Sequence, residues 1–503
     1  SNNSGFFSTL TNASDEPFRW VFHGNIIIPT GNPLHAPDPK EQQQEAAAAP
    51  EEKDVIWIGP GLMLCRCHVL CVDQDGIIEH ISHQDTMNIT DLKKRRNYVR
   101  LGKYEFLCPG FIDLHIHAPQ FAYTGTATDR PLMGEDGWLE TYTFPAEKSL
   151  GDDLRKAKHV YRGVVQTTLA TGTTTACYYG TLHLEPCKVL VEVCLEQGQR
   201  ALVGKVCMDR NAPPDYLQDT TQNVKETKTL IKYIHKRAGK EEDSTRLPLV
   251  LPVVTPRFIP TCTPELMKKL GQLAKDYHCH VQTHISESKD EVQFSKQLDF
   301  AQDGGGGRTD AEILDSHCLL TSRCILAHGV FCSGLELDLC RDRGAAIAHC
   351  PLSNFFFAGS ALSTKRLMQR KIKVGLGTDV AGGYHPSMLE SQRMCVVASK
   401  AVDQAKGGDG KHSLDYRHAF YLATLGAAEA LGLEDCIGTF CLGMEFDAII
   451  LSAKVESPIR VFKDTDTVQD VFQKLCTLGD DRNVKAVYVQ GKQVKKPKEI
   501  YEV

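Results

Sequence analysis

The chain has 503 residues, 42% apolar and 24% charged, an ordinary globular composition that excludes wholesale disorder. Its 57 Lys and Arg against 63 Asp and Glu leave a net charge of −6. A binder of nucleic acid or of an anionic membrane carries a basic excess, so neither is an expected partner.

At roughly 150 residues per domain the length allows about three domains, or one large barrel with additions. No stretch approaches the ~18 consecutive apolar residues of a membrane span; residues 247–254, among the longest, are interrupted by Pro248 and Pro252. Ser1 in place of an initiator Met reads as a processing scar, and no basic segment followed by an apolar one suggests a secretory leader. Nineteen cysteines with no short-spaced framework then read as reduced thiols of a cytoplasmic protein.

Strands are expected at 19–29, which contains Ile26-Ile27-Ile28, and at 54–58 and 62–72, with Asp75-Gly76 turning a hairpin into 77–81. Between them, residues 31–53 are rich in Pro, Gln, Glu and Ala and have no apolar face, which predicts a solvated, mobile insertion. From Leu107 short β-branched runs alternate with amphipathic stretches, the signature of β-α repeats. Eight such runs fall at 110–117, 172–179, 201–208, 249–255, 280–286, 324–328, 345–350 and 374–378. The helices between them include 153–168 and 263–277, the second opening on Thr263 as N-cap with Pro264 and Glu265 in its first turn.

Eight strands with eight crossovers is the arithmetic of a TIM-like (β/α)₈ barrel, although open sheets of eight strands exist. A helix at 416–432 follows, then strands at 446–451 and 484–489, with Gly491 in the last turn. Strands at both chain ends predict a small β-sandwich domain built from residues 1–106 and 433–503, around a barrel of residues 107–432. The glycine-rich stretches 303–308 and 405–411 are expected to be flexible surface connections.

His115-Ile116-His117 ends the first barrel strand, and a period of two puts both imidazoles on one side, close enough to chelate one ion. Among 19 histidines such a pair alone says little. Its company says more. His284, His328 and Asp379 end the fifth, sixth and eighth strands, and barrel active sites form at the carboxyl ends of strands. Three neutral imidazoles and a carboxylate suit zinc, with iron as the rival, and such an ion lowers the pKa of bound water from about 16 toward about 7.

Asp379 is expected both to ligate the metal and to handle the attacking water; His328 is expected to hydrogen-bond that water without being a ligand. Glu287, three residues past His284, can reach the reacting centre and carry the water's proton to a ring nitrogen. His280 shares the strand face of His284 but sits deeper, as a hydrogen-bonded core histidine would. His183-Leu184-Glu185-Pro186-Cys187 mimics half of the signature of another zinc deaminase class; no downstream Pro-Cys-x-x-Cys completes it, so it is read as coincidence.

Several stretches are more particular: Pro109-Gly110-Phe111-Ile112-Asp113-Leu114 leading into the His-x-His pair and Ala118-Pro119-Gln120, Tyr142-Thr143-Phe144-Pro145-Ala146-Glu147, Lys205-Val206-Cys207-Met208-Asp209, Thr255-Pro256-Arg257-Phe258, Gly377-Thr378-Asp379 and Gly479-Asp480-Asp481-Arg482-Asn483. On these, residues 106–494 resemble the guanine deaminases of the amidohydrolase superfamily. The resemblance implies one zinc ion per subunit on His115, His117, His284 and Asp379, hydrolytic conversion of guanine to xanthine and ammonia, and a homodimer. It maps the family's substrate contacts onto Gln120, Arg257 and Phe258, with His284 also beside the substrate. A guanidinium and an amide can pair with the carbonyl edge of guanine and tell it from adenine, and Phe258 can flank the purine.

The binuclear branch of the superfamily has a carbamylated Lys at the end of the fourth strand, where this chain reads Val254-Thr255-Pro256-Arg257; a single metal is therefore expected. Three departures bear on the shape of the pocket. Pro119 replaces a small polar residue, residues 133–136 add a turn before Trp138-Leu139, and Phe355-Phe356-Phe357 is bulky. Another ring deaminase or a chlorohydrolase would share the metal ligands without the Arg257 contact, whereas a non-catalytic scaffold would lack the ligands.

Overall fold

The computed structural model describes residues 17–35, 54–126, 130–134, 136–237, 246–298 and 307–495. The insertion expected at 31–53 therefore lies outside the described residues beyond residue 35, as does the loop at 303–308 up to residue 306. Eight parallel strands follow one another in chain order: Phe111–His117, Thr173–Tyr179, Arg200–Gly204, Val250–Pro256, His280–Ile285, Cys324–His328, Ala346–His349 and Lys373–Leu376. Almost every residue in them is buried, which is why they read as continuous apolar and β-branched runs without alternation.

The edges of this sheet come together through backbone hydrogen bonds. The Asp379 N–H donates to the His115 carbonyl at 2.8 Å and the His117 N–H to the Val380 carbonyl at 3.1 Å. Asp113 reinforces the seam, its carboxylate accepting the Thr378 N–H at 3.0 Å and the Thr378 hydroxyl. So close an approach requires a glycine, because a Cβ on Gly377 would stand 2.9 Å from the Cβ of His115.

Two predicted elements are divided. The third barrel run is two strands, Arg200–Gly204 and Val206–Cys207. At the break the Gly204 carbonyl accepts from Gly180, the Val206 N–H turns to Thr181, and the second piece pairs only with the fourth strand. The helix expected at 416–432 is Tyr416–Leu422 followed by Leu425–Leu431. There the Ala423 carbonyl is taken by the Ile112 N–H of the first barrel strand at 2.9 Å, and Thr424 leaves the helical region at φ −131°, ψ −103°. Elsewhere Thr263 caps as expected, accepting from the Leu266 N–H at 3.2 Å to start Pro264–Asp276, and Asp153 caps Leu154–Ala170.

Strands from both chain ends share one nine-stranded sheet that includes Phe18–Pro29, Leu62–Asp73, Glu105–Pro109, Ala448–Ser452 and Val484–Val489. Phe22 and Tyr488 lie three strand places apart in it. In a flat sheet that is roughly 14 Å, yet their rings stand 5.2 Å apart, so the sheet curls onto itself around Phe22, Phe446 and Tyr488. The loop at 405–411 is exposed but tied down, the Asp403 carboxylate accepting the N–H groups of Gly410 at 3.0 Å and His412 at 2.8 Å. None of the 19 cysteines is in a disulfide, and no helix among the described residues is long and apolar enough to cross a membrane.

Arg200 joins barrel and curled sheet. Fully buried at the amino end of the third strand, it donates from Nε to Asp447 at 2.8 Å and from Nη2 to Glu445 at 2.6 Å. Both carboxylates lie just before strand Ala448–Ser452 and also accept backbone N–H groups, of Gln490 and Leu247 respectively. Substituting Arg200→Met would leave two buried carboxylates without a cation, at a cost of about 3–5 kcal/mol. The expected result is a lower urea midpoint with metal content unchanged, because the triad sits at the barrel end opposite the carboxyl ends of the strands.

Candidate active site

The carboxyl ends of the first, fifth, sixth and eighth barrel strands bring His115, His117, His284, His328 and Asp379 into one buried cluster. One nitrogen from each of His115, His117 and His284 lies within 4.8 Å of the others, and the same holds for a ligand atom from each of Glu287, His328 and Asp379. His115 Nε2 is 3.1 Å and His117 Nε2 3.5 Å from Asp379 Oδ1, and His117 Nε2 is 3.2 Å from His284 Nε2.

Outer partners set the tautomers. His284 Nδ1–H donates to the Arg257 carbonyl at 2.6 Å and His328 Nδ1–H to Asn354 Oδ1 at 3.0 Å, so each ring turns a bare Nε2 inward. His328 Nε2 then stands 3.6 Å from Glu287 and 3.8 Å from Asp379.

Burial depresses the proton affinity of all four imidazoles; in His117 and His284 mutual repulsion with the neighbouring rings adds to it. Burial alone would raise Asp379, but the histidines around it, His115 foremost, hold its carboxyl well below the usual range. Glu287 goes the other way: burial and the charge of Asp379 push it well above the usual range, against the pull of Arg257. His115 Nε2 and His328 Nε2 are buried without a hydrogen-bond partner. Neutral imidazoles with inward lone pairs beside an ionised carboxylate form the donor set of a divalent transition metal, so these residues fit such an ion.

Above the cluster opens a narrow cleft walled by Gln120, Arg257, Phe258, Glu287, Leu132, Trp138, Leu139 and Phe357, among others. Every residue expected from the sequence to touch substrate is in this wall. Arg257 is fixed from behind by a bidentate pair with Glu147, at 2.7 and 3.2 Å, and by the Phe144 ring 5.1 Å from its guanidinium carbon. The three departures noted in the sequence meet the cleft as well. Pro119 sits in the short 3-10 turn Ala118–Tyr123 that carries Gln120; Leu132 and Trp138 flank the turn at 133–136, of which Glu135 lies outside the described residues; and Phe357 packs on Trp138 at 4.8 Å between ring centres. Phe355 and Phe356 are exposed.

His280 Nε2–H donates to the Leu431 carbonyl at 2.8 Å, as a core histidine would. His183 stands at the head of helix Leu184–Gln197 and belongs to none of the metal-type clusters among the described residues. Two of the particular motifs do structural work away from the cleft. Asp209 clamps Thr263 and Thr220 at 2.6–2.7 Å, and Asn483 donates to the Ser452 carbonyl at 2.9 Å.

Sequence reasoning missed Asn354, Glu147 and Asp113. Asp113 was within reach of it, since it lies two residues before His115 on the same strand face. Glu147 stood in the particular stretch Tyr142 to Glu147 without a role, and Asn354 gave no local signal.

A closed run of parallel strands with imidazoles and carboxylates gathered at their carboxyl ends defines a barrel of the metal-assisted hydrolase type. The chain belongs to the amidohydrolase family, whose profile matches residues 106–494. It is 40% identical over 438 residues to the guanine deaminase of Dictyostelium discoideum, spanning 84% of this chain and 92% of that protein. To the guanine deaminase of Rattus norvegicus it is 40% identical over 446 residues, 87% of this chain and 94% of the relative. A solved structure of guanine deaminase from C. acetobutylicum with guanine bound in the active site superimposes with a TM-score of 0.78 at 26% identity, covering 95% of this chain and 100% of that one.

The cluster predicts its own dependence on each imidazole. His117→Ala and His284→Ala are each expected to bind well below one equivalent of transition metal by elemental analysis while retaining the far-ultraviolet circular dichroism of the parent. Stoichiometric metal in both variants would mean that the ion sits elsewhere.

Proposed function

We propose that the chain catalyses the hydrolytic deamination of guanine to xanthine and ammonia. The observation that carries this reading is the meeting of the His/Asp cluster, Glu287 and the Arg257–Gln120 wall in one cleft, in a chain 40% identical to guanine deaminases over most of its length. We assign one zinc ion to His115, His117, His284 and Asp379 on the strength of three imidazoles and one carboxylate. When bound, the ion supplies Lewis acidity that makes a water molecule a nucleophile near neutral pH.

The rest is done by side chains of this chain. Arg257 and Gln120 donate hydrogen bonds to the carbonyl edge of the purine and aim the amine-bearing ring carbon at the histidine cluster, with Phe258 along the ring face. Leu132, Trp138, Leu139 and Phe357 shed water from the rim, which strengthens every charge interaction below it. Glu287 takes a proton from the attacking water and passes it to the ring nitrogen adjacent to that carbon, giving a tetrahedral carbon. His328 and Asp379 hold the second proton of the water until it reaches the departing amine, which leaves as ammonia.

Metal-loaded protein given guanine is expected to produce the ultraviolet absorbance of xanthine, lost on chelation and restored by zinc. Absence of that product would overturn the reading, and a panel of pterins and triazines would then locate the true ring. Glu287→Gln is expected to retain its metal and lose about 10³-fold in kcat, since general acid–base groups contribute about 10²–10⁴-fold. A variant turning over at the parental rate would remove Glu287 from the mechanism.

A further inference from the structure

Behind the cleft wall, on helix Phe144–Asp152, Glu147 is completely buried and accepts four hydrogen bonds. Arg257 gives two, at 2.7 and 3.2 Å, Tyr216 Oη–H gives one at 2.8 Å, and Gln120 Nε2 gives one at 3.0 Å. The opposite end of the Gln120 amide is also committed, its Oε1 accepting the Ala381 N–H at 3.2 Å. A carboxylate can only accept and a backbone N–H can only donate, so these two neighbours allow the Gln120 amide one orientation. The donor that these two partners leave uncommitted on Gln120, a residue of the cleft wall, is its second N–H. Arg257, with two of its N–H groups on Glu147, likewise faces the cleft with donors alone.

We infer that Glu147 is a specificity-determining positioning residue: it fixes the wall as a donor-only surface that accepts a ring carbonyl and rejects a ring amine at the same place. This inference rests on the guanine reading above. A neutral amide at position 147 has one acceptor oxygen where the carboxylate has two, and either placement of its NH2 meets an Arg257 donor. At least one of the donors held by Glu147 would lose its partner, and the donor pattern of the wall would no longer be fixed.

The test compares guanine with 2,6-diaminopurine, which keeps the reacting 2-amine and carries an amine in place of the 6-carbonyl. In Glu147→Gln the kcat/KM for guanine is expected to fall about 100-fold or more, mainly through KM, while that for 2,6-diaminopurine falls far less; a site with misaligned polar groups discriminates on this scale. The ratio of the two kcat/KM values is thus expected to drop at least tenfold, with metal content and far-ultraviolet circular dichroism unchanged. An unchanged ratio in folded, metal-loaded E147Q overturns the inference. If E147Q fails to fold, Glu147→Asp carries the test, because it keeps the charge opposite Arg257 and withdraws the carboxylate from Gln120. A lowered ratio in E147D supports the inference, and an unchanged ratio overturns it. Failure of both variants to fold would make Glu147 a structural residue only and also overturns it. Lack of guanine turnover in the parent protein sinks the functional reading itself, an outcome distinct from any of these.

Discussion

At the mouth of the barrel, three imidazoles and an ionised aspartate point their lone pairs into one small volume with almost no solvent around them. Among the described residues, His115 Nε2 and His328 Nε2 are buried without a hydrogen-bond partner, and burial lowers the proton affinity of the imidazoles. Such an arrangement persists in a folded protein because most of its members are held from outside. Arg257 O orients His284, Asn354 orients His328, and the seam of the barrel, with Asp113 and Gly377, sets His115 against Asp379. The cluster is thus a property of barrel closure as much as of its ligands.

The same low dielectric organises charge at two other places. Arg257 with Glu147 lies beside the cleft, and Arg200 with Glu445 and Asp447 lies at the far end of the barrel. Each pair is desolvated, and each carboxylate takes further hydrogen bonds, the condition under which a buried ion pair is tolerated. Their consequences differ. The Arg200 group welds the curled sheet to the barrel and never meets the cleft. The Arg257 group is a template, because each N–H it commits to Glu147 determines which N–H groups remain to meet a ligand.

Much of this was legible in the chain. Seven of the eight barrel strands lie within one or two residues of the predicted runs, because burial of both strand faces leaves an apolar signature that is local. The residues of the buried cluster were legible as well: His115 and His117 share a strand face by the period of two, and a strand end followed by a loop is visible around His284, His328 and Asp379. Breaks made by distant partners were not legible. The third strand divides where Gly180 and Thr181 draw off its backbone, and the helix after the barrel divides where the first strand takes the Ala423 carbonyl.

The sequence by itself determined which residue types stand at the strand ends, hence the donor chemistry of the cleft and the class of ion it suits, since backbone periodicity places side chains without reference to the rest of the molecule. The tertiary structure alone decided how those donors are aimed. Glu147 and Arg257 are 110 residues apart and His328 and Asn354 are 26 apart, and no periodicity links either pair. Their pairing exists only because folding removes water from between them, leaving each polar group a single partner and therefore a single direction in which to point.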